Sequence, residues 1–221
     1  RHAISILSSV LESNGIASFY IKEKKFSDYL KKIKEINPDL LVYSCMSNNF
    51  HGYLEFDEFV KKNIGVKSII GGPGATFDWK IINEGTIDAL CVGEGESAII
   101  GHIRNGFLGN KNIICKGQNY PTEFFPLADL NKLPFPNRDV VYKRDPVLRH
   151  NPSKQFISGR GCPYACTYCH NHVFNKIFKE YGSIVRKKSV DYILEEIKEV
   201  RERYELKLVV FQDDTFIVDR V

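Results

Sequence analysis

Cys162, Cys166 and Cys169 fall within one short run, Ser158-Gly159-Arg160-Gly161-Cys162-Pro163-Tyr164-Ala165-Cys166-Thr167-Tyr168-Cys169. Their C-x3-C-x2-C spacing follows directly on a strand expected at residues 154–158. Spacers this short let three thiolates reach one face of a cubane iron–sulfur cluster, and Gly159 and Gly161 let the backbone turn tightly around it. Ferredoxin-type clusters use four cysteines, but no fourth lies nearby, so a cluster held here would keep one iron open to a non-protein ligand. The same residues also allow a structural zinc site completed by His170 or His172. Zinc more often pairs C-x2-C with a distant second pair, which favours the cluster. Cys45, Cys91 and Cys115 are scattered in or beside expected strands and read as small buried hydrophobes.

Other groups stand where strands end. Asp213 and Asp214 close the strand expected at residues 206–211, the carboxyl edge at which α/β-barrel enzymes collect functional groups, although paired acids also cap turns. Gly71-Gly72-Pro73-Gly74-Ala75-Thr76 and Val92-Gly93-Glu94-Gly95-Glu96 each follow a strand. Glycine there lets a flat or phosphate-bearing ligand approach the backbone, or simply makes a tight turn.

These groups need elements to hold them. Apolar periodicity predicts a helix over residues 3–14, a short strand at 17–21, a helix carrying Phe26, Tyr29, Leu30 and Ile33, and a strand at 40–44. A helix with Phe56, Phe59 and Val60 follows, then strands at 68–71 and 89–92 and a helix at about 96–103. Such alternation implies a parallel sheet covered on both faces, and an open sheet of this kind begins with a strand, so one is expected upstream of Arg1. The Pro-rich stretch 117–153 reads as a linker, ordered in places by its Phe and Leu residues. Beyond it, a helix over 190–204 presents Val190, Ile193, Leu194, Ile197, Val200 and Tyr204 on one face, with Ser189 placed as its N-cap. Two βα units do not close a barrel, so more are expected downstream.

Composition narrows the classes. With 221 residues, 43% hydrophobic and 26% charged, the chain can bury a substantial core and is not of the disordered type. Six cysteines are too few for a disulfide scaffold, and their crowding points to metal in a reducing compartment, hence the cytoplasm. No apolar run is long enough to span a bilayer and no leader is visible. The net charge of +4 is modest, and much of it lies on Lys22, Lys24, Lys25, Lys31, Lys32 and Lys34, a solvated face rather than a nucleic-acid site.

The cysteine loop resembles the signature of the radical S-adenosylmethionine (SAM) superfamily at every cysteine, with the aromatic Tyr168 just before the third. Together with both glycine turns and the stretch Leu133-Pro134-Phe135-Pro136-Asn137-Arg138-Asp139, the resemblance extends over nearly the whole chain to radical SAM enzymes that carry a cobalamin-binding domain. It implies a Rossmann-like domain at 1–116, a linker at 117–153 and the first βα units of a partial radical SAM barrel at 154–221. It also implies a [4Fe–4S] cluster on Cys162, Cys166 and Cys169, whose open iron binds SAM and whose electron cleaves it to a 5′-deoxyadenosyl radical. Tyr168 would lie against the adenine, and one of Asp213 and Asp214 would help bind the methionine amino group. Ser44, before Cys45-Met46, and the pair Gly71-Gly72 would answer to elements of the cobalamin fold, while Gly74 stands where members often have His. The lower-ligand motif of some cobalamin proteins would fall upstream of Arg1, and His2 reads as a surface residue. The expected activity is methyl transfer from SAM to an unactivated carbon or phosphorus of a small molecule, with ring formation as a variant. Flavodoxin or ferredoxin would donate electrons. The rivals are a radical SAM methylthiotransferase with a second cluster on Cys45, Cys91 and Cys115, and a non-enzymatic zinc-binding interaction module.

Overall fold

The computed structural model describes residues 2–217. They form two compact units: residues 14–125 make one, and the first helix with residues 126–217 makes the other.

That first helix, α1 (His2–Glu12), buries Ile6, Val10 and Leu11. Its serine side is tied to the Pro-rich stretch, because Ser9 Oγ donates to the Phe135 carbonyl at 2.6 Å and the Asn137 amide donates to the Ser5 carbonyl at 3.0 Å. The polar stripe thus gains partners that a purely apolar face could not use.

In the unit of residues 14–125, α2 (Phe26–Ile36) ends at Asn37, which takes the left-handed conformation at φ 49. Then follow β1 (Leu40–Ser44), α3 (Phe50–Lys61), β2 (Lys67–Gly71), α4 (Pro73–Phe77), β3 (Ala89–Cys91), α5 (Glu96–Arg104) and β4 (Ile113–Cys115). The sheet runs in the order β1-β2-β3-β4, with the first three strands parallel and β4 antiparallel to β3. Ile69, Ile70 and Leu90 are buried because parallel strands covered on both faces need continuous apolar runs. β1 instead alternates, burying Leu41 and Tyr43 while Val42 stays 49% exposed. Residues 17–21, expected as a strand, are not assigned to one. Their apolar alternation is real, but a strand exists only through a ladder partner.

The other unit continues with α6 (Asp139–Tyr142), α7 (Pro146–His150), β5 (Ser153–Phe156), β6 (Gly159–Arg160), α8 (His170–Phe178), β7 (Arg186–Lys187), α9 (Val190–Arg203) and β8 (Leu208–Phe211). β5 and β8 pair in parallel with Phe156 beside Phe211, and β6 pairs antiparallel with β7. Ser189 caps α9, its side chain accepting from the Tyr192 amide at 3.1 Å. The helix turns Ile193, Val200 and Tyr204 inward, and the last two pack on Phe156.

Two residues expected on that apolar face lie outside: Val190 is 74% and Leu194 49% exposed. Glu196 takes the inward place, its two oxygens bonded to Arg138 and Lys188, each at 2.9 Å. The Arg138 guanidinium also covers the Phe156 ring at 4.5 Å. A buried carboxylate is tolerated here because two cations accompany it.

Candidate iron–sulfur and cobalamin sites

The cysteine loop is bracketed by β6 and α8, and α8 begins at the residue after Cys169. Gly161 turns the chain at φ +89, and a Cβ there would collide with the Ile184 carbonyl, so only glycine fits. Three bonds then fix the loop. Asn175 donates to the Cys162 carbonyl at 2.9 Å, the Cys169 amide donates to the Cys166 carbonyl at 3.1 Å, and His172 Nδ1 lies 2.6 Å from the Cys169 carbonyl. All three thiols are free of disulfides; Cys166 is exposed and the other two are half-buried.

The end of β8 grips the same loop. One Asp213 oxygen accepts from Ser158 Oγ at 2.8 Å and the Gly159 amide at 2.5 Å, and the other accepts from the Ser158 amide at 3.2 Å. Two residues on, the Thr215 hydroxyl donates to Cys162 Sγ at 3.0 Å. Asp214 is exposed, and Tyr168 is 92% exposed. A cleft beside the loop is lined by Ser158, Arg160, Arg186, Lys187, Asp213 and Phe216. Asn175 and Thr215 escaped the sequence reading, which weighed His172 as a zinc ligand and gave Ser158 no role in holding the loop. Spacing reveals cysteines, whereas the residues that hold them come from other elements.

Among the described residues, no three His, Cys, Asp or Glu side chains gather on a point that would hold a single metal ion. Cubane ligation does not require one, since each thiolate binds a different iron.

In the residue 14–125 unit, three turns meet at the carboxyl edge of the parallel strands. The Cys45 amide donates to the Gly71 carbonyl at 2.9 Å, and the Gly74 amide donates to the Cys45 carbonyl at 3.1 Å. Thr76 Oγ1 donates to the Gly72 carbonyl and accepts from the Gly93 amide, both at 3.0 Å. Gly72 sits at φ +95, where a Cβ would lie 2.6 Å from the Cys45 carbonyl oxygen. The turn after β1 therefore already demands this glycine, apart from any ligand. Ser44 is exposed at the same edge, and Gly71 and Gly72 are half-buried.

Cys45 and Cys91 are buried, and burial raises both thiol pKa values, that of Cys91 to about 12. Burial likewise raises Cys115. His2, read from sequence as a surface residue, is half-buried. Its pKa falls to about 3 through burial, reinforced by the charges of Lys188, Arg138 and Arg160. Among the described residues no helix is long and apolar enough to cross a membrane.

Comparison with known families matches residues 3–101 to the B12 binding domain and residues 156–220 to the radical SAM superfamily. An uncharacterized methyltransferase of Pyrococcus horikoshii is 28% identical over 88% of this chain and 44% of its own length. A Methanocaldococcus jannaschii protein named as a methylthiotransferase is 28% identical over 80% of the chain and 39% of itself. The cytidylyl-2-hydroxyethylphosphonate methyltransferase of Streptomyces wedmorensis is 21% identical over 87% and 42%. The chain thus spans about two fifths of the length of these relatives. With a B12 binding domain match over residues 3–101 followed by a radical SAM superfamily match over residues 156–220, the chain is similar to radical SAM enzymes that carry a cobalamin-binding domain.

Proposed function

We propose that the protein holds a [4Fe–4S] cluster on Cys162, Cys166 and Cys169, cleaves SAM reductively, and performs cobalamin-dependent methyl transfer to an unactivated carbon or phosphorus. The observation that carries this reading is the cysteine loop itself. Its three thiols carry no disulfide, and the cysteines Cys45, Cys91 and Cys115 all lie in the other unit. When bound, the cluster would supply the electron that splits SAM, and cobalamin would carry the methyl group.

The chain's own residues divide the remaining work. Asp213 has both oxygens engaged by Ser158 and Gly159, so its part is to hold the loop. Asp214, exposed beside it, is the carboxylate left to meet the SAM amino group, and the exposed Tyr168 ring offers a face to adenine. Ser44, Gly71 and Gly72 shape the shelf at the sheet edge on which cobalamin would rest. The substrate is a small molecule, and a flavodoxin or ferredoxin supplies electrons. A methylthiotransferase reading draws on the name of the M. jannaschii relative and would need a second cluster on Cys45, Cys91 and Cys115, the first two of which are buried.

Anaerobic reconstitution with iron and sulfide tests the proposal. It predicts about four irons per chain, SAM-dependent formation of 5′-deoxyadenosine, and corrinoid retained on the protein. Stoichiometric zinc with no iron uptake would overturn it.

A further inference from the structure

We infer that Thr215 is a positioning residue that sets the reduction potential of the cluster through its hydrogen bond to the Cys162 sulfur. The inference rests on the cluster reading above and adds a residue to it.

The Thr215 hydroxyl stands 3.0 Å from Cys162 Sγ, within bonding range for a sulfur acceptor. The contact is anchored on both sides. Upstream of Thr215, Asp213 is bonded to Ser158 and Gly159, which precede Cys162. On the loop side, Asn175 holds the Cys162 carbonyl at 2.9 Å, and Gly161 can be only glycine because Ile184 fills the space of a side chain. The strand end and the cysteine therefore keep their spacing, and the hydroxyl keeps its acceptor.

A donor to a ligating thiolate stabilises the reduced cluster more than the oxidised one, since reduction adds negative charge that the sulfurs share. Hydrogen bonds to the sulfurs are among the determinants of cluster potential. Radical SAM chemistry draws its electron from the reduced cluster, so this bond bears on how much of the cluster an electron donor can reduce.

The test compares Thr215→Val, which keeps the branched shape and loses the hydroxyl, with Thr215→Ser, which keeps the hydroxyl. Each reconstituted protein is poised anaerobically at a series of solution potentials with dithionite and mediators, and the EPR signal of the reduced cluster is measured. Thr215→Val is expected to lower the ratio of reduced to oxidised cluster about threefold to tenfold at a fixed potential, tenfold being about 59 mV for one electron. Thr215→Ser should track the wild type. An unchanged potential in Thr215→Val, or an equal shift in Thr215→Ser, overturns the inference while leaving the cluster in place. A wild-type chain that takes up no iron–sulfur cluster overturns the underlying reading as well.

Discussion

Gly72 and Gly161 occupy equivalent steric positions in the two units. Each follows a strand, each has positive φ, and each is pressed by a backbone carbonyl, from Cys45 in one case and Ile184 in the other. What surrounds them differs. At the Gly72 edge the ties are mainly backbone bonds between neighbouring turns, with Thr76 joining the second and third. At the Gly161 edge a carboxylate and a hydroxyl reach across from the end of β8, and the hydroxyl touches a sulfur. A shelf that only has to keep its shape can be built from peptide groups. A loop that presents reactive thiols is held by side chains whose charge and protons also act on those thiols.

The largest expected effect separates the two edges outright. Replacing Cys162, Cys166 or Cys169 by Ala should each remove the cluster, taking iron from about four per chain to a small residue, whereas Cys45→Ala should retain it. Iron and sulfide assays on the reconstituted proteins decide the matter.

Next comes the buried charge within the cysteine-bearing unit. Glu196→Gln strands Arg138 and Lys188 without their shared carboxylate, and the expected loss is about 3–5 kcal/mol in denaturant unfolding. A loss no larger than that of a surface substitution would show that the triad is not held as described.

The glycines sharpen the comparison further. Gly72→Ala and Gly161→Ala should each cost about 1–3 kcal/mol from backbone strain at positive φ. Only Gly161→Ala should also weaken iron retention, which a timed chelator challenge measures.

The smallest effect distinguishes the paired acids. Asp213→Asn loses charge-assisted bonds to Ser158 and Gly159 and should destabilise by about 1–3 kcal/mol. Asp214→Asn should leave stability within about 0.5 kcal/mol and instead weaken SAM binding, read by equilibrium titration of the reconstituted protein.

The strands of the parallel core were legible in the sequence because buried strands are unbroken apolar runs, as in Ser68-Ile69-Ile70 and Ala89-Leu90-Cys91. β4 escaped: three residues directly before a Pro-rich stretch give no period to count. The two short helices α6 and α7 were hidden in that stretch for the same reason. α8 left a signal that went unused, since Phe174 and Phe178 stand four apart and their rings pack at 4.4 Å. Leu194 was misplaced because a hydrophobicity pattern cannot foresee that Glu196 will be drawn inward by Arg138, which lies far away in sequence. In the site, the cysteines were visible as spacing, but the roles of Asp213 and Thr215 depend on β8 lying beside β5, which only pairing fixes.

The central claim is that three thiolates hold the cluster and leave its fourth corner open. EPR of the reduced, reconstituted protein with and without SAM tests it most directly. The account predicts that SAM changes the spectrum, as a ligand arriving on one iron must. A spectrum of full intensity that SAM does not alter would mean that a protein group closes that corner, and would contradict the account.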